Sequence, residues 1–143
     1  MKPSKSFDAK RSALMARVRQ RGTAPELAVA GALRDLAQSY RLNVRGLPGA
    51  PDFANRTRKW VIFVHGCFWH RHTNCKHATI PKVNREFWVS KFEANRARDA
   101  KAIRNLRHSG FRVLIVWECQ TADHVSLVRR VSKIFEPRGV DVG

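Results

Sequence analysis

Cys67, His72 and Cys75 stand in a C-x4-H-x2-C array, and the third cysteine of the chain, Cys119, follows far downstream. Zinc favours four soft or borderline ligands in a tetrahedron, and a Cys3His set fills it with no position open to a substrate. Such a site would be structural. It would pin the histidine-rich stretch 65–83, which has little apolar surface of its own. The competing reading is that three small thiols simply fill the core. His77 is a spare candidate ligand, and spacing alone does not exclude His70. An odd number of cysteines argues against a secreted disulfide scaffold.

Phosphodiester hydrolysis would need a different set. Mg2+ held by a few carboxylates and backbone oxygens activates water and stabilises the leaving oxygen. With only 11 Asp and Glu in the chain, the choice is narrow. Pro51-Asp52 stands at the entrance of a strand and matches the first half of the P-D…(D/E)-x-K nuclease pattern. The second half is missing, because Phe63-Val64-His65 fills its place. Glu26 and Asp99 could supply charge instead; equally, Glu26 could cap its helix and Asp99 could pair with Arg96 or Arg98. Phe68-Trp69 precede His70 in an otherwise polar loop. The two rings either staple that loop down or wedge between bases, and His70 either binds metal or moves protons at a phosphate. Trp88 could join the wedge, although Phe87 or Trp88 must face the core.

The elements that would position these groups follow from local pattern. Leu14, Met15 and Val18 suggest a short helix from Ser12 to Gln20, stopped by Gly22. Thr23, Pro25 and Glu26 read as an N-cap, a first-turn proline and a capping box, opening a helix that runs to about Ser39. Tyr40 to Val44 alternates like a strand, and 46–51 is a turn cluster. Asp52 to Ala54 and Trp60 to Val64 read as a hairpin whose second strand is buried on both faces. Residues 65–83 show neither strand nor helix period, and so long a loop in a compact domain is uncommon unless functional. Asn84 opens a long arginine-rich helix carrying Phe87, Trp88, Phe92, Asn95, Ile103 and Leu106, ended by Gly110. Phe111 to Cys119 reads as a second fully apolar strand. Thr121 or Asp123 then opens a last helix carrying Val125, Val128, Val131 and Ile134-Phe135. The order predicts an α/β or α+β domain around a small mixed sheet. Its expected organisation is a flexible basic arm at 1–9, one domain at 10–136 and a tail at 137–143.

Composition bounds the partners. The 143 residues include 28 Lys and Arg, for a net charge of +17 and a pI near 11.3. So basic a surface releases counterions on meeting phosphates and points to nucleic acid ahead of membranes or acidic proteins. A 43% hydrophobic fraction excludes wholesale disorder, and no apolar run suits a membrane helix or signal peptide. The expectation is a soluble intracellular protein.

From His65-Gly66-Cys67-Phe68-Trp69-His70 the sequence closely resembles the very-short-patch-repair mismatch endonucleases, which nick DNA beside T:G mismatches left by deamination of 5-methylcytosine. Thr23 to Glu26, Leu47 to Phe53, Val61 to His70, Arg85 to Trp88, Asn95 to Asp99 and Gly110 to Cys119 carry the resemblance across about residues 10–120. It implies a restriction-endonuclease-like core with a small mixed sheet flanked by helices and a structural zinc site. Asp52 resembles the family's metal-binding aspartate and His70 its catalytic histidine, with Glu26, His65 and Asp99 around them. Cys67, His72, Cys75 and Cys119 align with zinc ligands, and Phe68, Trp69 and Trp88 with intercalating aromatics. Val64 stands where the best-known members have threonine, and its backbone carbonyl would still help hold Mg2+. The implied substrate is duplex DNA with a T:G mismatch, attacked by a monomer beside a cytosine-5 methyltransferase system and mismatch-repair proteins. The implied location is the cytoplasm, nucleoid-associated, in a bacterial-type cell. The rival readings are a restriction-system nuclease of the same fold and a zinc-stabilised DNA-binding protein without catalysis.

Overall fold

The computed structural model describes residues 23–136 except Arg71, Asn74 and His77, and except the side chain of Trp69. The expected arm at 1–9, the helix at 12–20 and the tail at 137–143 lie outside the described residues. The same holds for His77 as a ligand and for the Trp69 ring.

Helix α1 spans Ala24–Asp35, strands β1, β2 and β3 span Arg41–Leu42, Phe53–Asn55 and Trp60–His65, and helix α2 spans Cys67–His70. Helix α3 spans Arg85–His108, β4 Arg112–Trp117 and α4 His124–Ser132, with 3-10 turns at Glu118–Thr121 and Lys133–Phe135. The strands lie in the order β1-β2-β3-β4; the first two pairings are antiparallel, whereas β3 and β4 run parallel. This is the expected α+β architecture, a small mixed sheet flanked by helices.

Alternation along β3 sorts the layers, because successive side chains of a strand point to opposite faces. Trp60 and Ile62 pack with Phe53, Val116 and the apolar residues of α1 and α4. Val61 and Phe63 pack with Leu106 of α3 and with Phe111. By the same alternation His65 and, on β4, Trp117 stand on the α3 face. Gly49 lets the turn before β2 pass close to that helix. It takes φ +74°, and a Cβ there would lie 2.8 Å from the Ala102 Cβ and 3.0 Å from the Phe63 ring.

Four local expectations are corrected. Helix α1 ends at Asp35 rather than about Ser39, because Ala37 turns left-handed (φ 56°) and the Gln38 N–H returns to the Leu33 carbonyl, a Schellman closure. The stretch after His65 contains one helical turn, α2, closed by His70 N–H to the Gly66 carbonyl; a single turn is too short to show a period. Strand β4 stops at Trp117 and buries fully only Val116, because it lies at the sheet edge. Helix α4 buries Leu127 and Val131 and leaves Val125 64% exposed, with Asp123 as its N-cap through the Ser126 N–H.

Candidate active site and metal centre

The candidate residues converge where β3 and β4 end and β2 begins. Helix α2 follows β3 after one residue, and α3 lies along the sheet face that carries Val61 and Phe63, bringing Asp99 to His70. Along α3 the inward stripe reads Trp88, Phe92, Asn95, Asp99, Ala102, Leu106. Its two ends are buried, whereas Asp99 in the polar middle is half-buried. A stripe with three- and four-residue steps faces one way on a helix, so the apolar ends hold α3 down while the middle presents polar groups.

Asp52 lies just before β2, and its Oδ2 accepts the Val64 N–H at 2.6 Å. A residue's N–H and C=O face the same edge of a strand, so the Val64 carbonyl also looks towards Asp52. A carboxylate and a backbone oxygen are donor types that suit a hard divalent cation. Glu26 reaches Asp52 with a hydrogen bond between the two carboxyls. The expected capping box is absent, since Thr23 makes no side-chain cap bond and Glu26 is turned to the site. Burial pushes the Asp52 carboxyl up to about 6; the Val64 N–H opposes the shift, Glu26 adds to it, and the charge of His70 opposes it. That coupling places His70 in the same field as Asp52.

His70 bonds Asp99 through Nδ1, 2.5 Å from Oδ2, with both side chains about a quarter exposed. Asp99 thus faces His70, whereas Arg98 bonds Asn95. The His65 ring stacks on His70 with centroids 3.7 Å apart and planes 6° from parallel. Burial lowers His65 to about 4, assisted by the neighbouring His70 charge and opposed by Asp99, so His65 is neutral at pH 7. His65, His70 and Asp99 offer ligand atoms within 4.8 Å of one another. A ring nitrogen's lone pair lies in its ring plane, however, and two stacked parallel planes do not meet at one ion. The arrangement suits proton transfer better than chelation.

Cys67, His72, Cys75 and Cys119 bring four ligand atoms within 4.8 Å of one another. His72 Nδ1 lies 3.7 Å from the Cys67 sulfur and 3.4 Å from that of Cys119. Bonds of about 2.0–2.3 Å to a tetrahedral zinc would set ligand spacings of this size, so the set fits a metal ion. Burial, with Cys119 and Cys75 beside it, pushes the Cys67 thiol up to about 12. A bound dication would reverse that preference and favour the thiolate. The cluster sits directly behind the His70 site, because Cys67 opens α2 and its N–H donates to Glu118 Oε1 at 3.3 Å.

Phe68 packs edge-on to Trp88 and Phe92 at 5.7 and 5.1 Å. Trp88 is 3% exposed in that cluster, whereas its neighbour Phe87 is 59% exposed. The Trp88 ring could enter a base step only by leaving this packing. Sequence reasoning assigned no role to Trp117, which touches both His65 and His72. The signal that places it there is the β3–β4 register, which pairs it with His65.

A family model described as DNA mismatch endonuclease Vsr matches residues 5–77. The chain is 41% identical over 128 residues to the Type II nicking enzyme V.XorIIP of Xanthomonas oryzae pv. oryzae, covering 90% of this chain and 93% of that one. It is 36% identical to the Type II nicking enzyme V.NmeAIP of Neisseria meningitidis, over 87% and 89% of the two chains. Against the DNA mismatch endonuclease Vsr of Escherichia coli, identity is 42% over 78% of this chain and 70% of the relative.

Proposed function

The chain belongs to the Vsr family of DNA mismatch endonucleases, and on that premise we propose that it nicks one strand of duplex DNA beside the thymine of a T:G mismatch in a Mg2+-dependent reaction. The observation that carries the reading is one electrostatic cluster at one end of the sheet. It combines a cation-suited pair, Asp52 and Val64, with a proton-transfer pair, His70 and Asp99. Neither pair is needed for DNA binding alone, which disfavours a non-catalytic role.

Asp52 and the Val64 carbonyl would hold Mg2+, which when bound would activate water and neutralise charge on the scissile phosphate. Glu26, beside Asp52, would add a second carboxylate to the surroundings of the cation. Asp99 holds His70 at Nδ1, so proton transfer at the phosphate falls to Nε2. His65 stays neutral beneath it and adds no charge that would repel a protonated His70. Cys67, His72, Cys75 and Cys119 would hold Zn2+ in a closed set with no open position, a structural role. Trp69, with Phe68 and Trp88 after release from their mutual packing, would fill the opened step at the mismatch. A T:G wobble stacks poorly, so opening costs less there than at a matched pair. Deamination of 5-methylcytosine made by a cytosine-5 methyltransferase would supply the substrate.

The test uses purified protein, Mg2+ and end-labelled duplexes carrying one T:G pair or none. The expected product is a single nick in the T strand of the mismatched duplex. Equal cutting of both duplexes, or of neither, overturns the reading. The nicking enzymes among the relatives favour a second reading, a restriction-system nuclease that cuts a sequence or structure other than a mismatch, and cutting of a duplex without the T:G pair would mark it.

A further inference from the structure

Trp117 ends β4 opposite His65 in the parallel register. Its indole lies between two groups that the proposed reaction uses separately. On one side it stacks on His72 of the cysteine cluster, with centroids 4.3 Å apart and planes 8° from parallel. On the other it stands edge-on to both His65 at 5.2 Å and His70 at 6.5 Å. His65 depends on such contacts, being 5% exposed with an Nδ1 that has no hydrogen-bond partner among the described residues. Its plane is held instead by rings: Phe63 tilted at 5.8 Å, His70 stacked at 3.7 Å and Trp117 at its edge. His70 is tethered through Nδ1 to Asp99, and its stacking on His65 fixes the direction in which Nε2 points.

We propose that Trp117 is a positioning residue that carries the geometry of the Cys/His cluster to the His65–His70 pair. An indole is rigid, and it cannot shift on His72 without moving its edge against His65. The strand end that presents Trp117 also holds the start of α2, through Cys67 N–H to Glu118, so ring and helix share one anchor. The metal that fits the cluster would then set how accurately His70 meets the scissile phosphate. This consequence for catalysis rests on the proposed nicking reaction; the mechanical link rests on the ring geometry alone.

The experiment compares the full chain with Trp117→Leu and Trp117→Phe. Leu should lower the maximal nicking rate roughly tenfold, since small misplacements of a reacting group are costly, while DNA affinity and metal content stay unchanged. Phe should restore most of the rate. Independently of activity, exchanging zinc for the larger cadmium ion should shift the His65 and His70 ring signals in NMR spectra of the unsubstituted chain. The same exchange should leave those signals nearly still in Trp117→Leu. Unchanged nicking by the Leu variant, or equal His65 and His70 shifts in both proteins, overturns the link. Should Leu fail to fold, Trp117→Met takes its place with the same outcomes. If the unsubstituted chain nicks no T:G duplex, the proposed function falls and the NMR comparison still decides the link.

Discussion

Asp52 and His65 stand in the same cluster, yet pH acts on them in opposite directions. Folded Asp52 keeps its proton up to about pH 6, against 3.8 for the free group. Its contribution to stability is therefore complete below pH 3.8 and is lost as pH rises through about 6. His65 falls from 6.5 to about 4, so its contribution is complete above pH 6.5 and is lost as pH falls through about 4. In metal-free buffer Asp52→Asn should gain on the unsubstituted protein as pH rises from 4 to 6. The gain should reach roughly 2 kcal/mol near pH 7, after allowing for the part of the carboxyl that water reaches. Thermal melts at fixed pH measure it, and a constant difference across that range would contradict the buried carboxyl pair. The same change should lower nicking by about two orders of magnitude, the expected loss when a metal ligand is removed. His70→Ala should lower nicking about as much and retain its metal content. Released metal would instead identify His70 as a ligand of the cysteine cluster.

Two elements hold the site, each by a different device. Helix α3 is fixed at one end by Trp88 and Phe92 against Phe68, and at the other by Ala102 under the Gly49 turn and Leu106 against Val61 and Phe111. Gly49→Ala requires a left-handed alanine whose Cβ collides with Ala102, and it should cost about 1–3 kcal/mol. The urea midpoint should fall with its slope unchanged. Helix α2 is one turn long and cannot stand on hydrogen bonds alone. Its stability comes from the Cys67 end and from the Phe68 cluster. Cys119→Ser should therefore lower metal content and melting temperature as strongly as Cys67→Ser, although Cys119 is exposed and Cys67 is buried. Full stability of a metal-free preparation would sink the structural role of the metal.

Across the whole molecule, a net charge of +17 should make DNA affinity fall steeply with salt. Replacing one Lys or Arg among residues 1–21 by Gln should weaken matched and mismatched duplexes alike. It should flatten the log–log salt slope by about one for each phosphate that is no longer neutralised. A change confined to mismatched DNA would move that residue from backbone binding to recognition. The basic surface, the Cys3His spacing, Pro51-Asp52 at a strand entrance and the long helix from Asn84 were all legible in the chain, because charge, ligand spacing and hydrophobic period are local properties. The His65-to-His70 run likewise carried the family resemblance. Tertiary structure alone decided that Glu26 turns from its helix cap to Asp52, that Asp99 chooses His70 over its arginine neighbours, and that Trp88 rather than Phe87 is buried. It also placed Trp117 between the two histidine groups. Each of these is a choice among partners distant in sequence or competing on one helix face, and no local pattern ranks such partners. The parallel register of β3 on β4 and the seating of α3 along the Val61–Phe63 face settle them, because packing fixes which side chains share a face and which must find partners away from water.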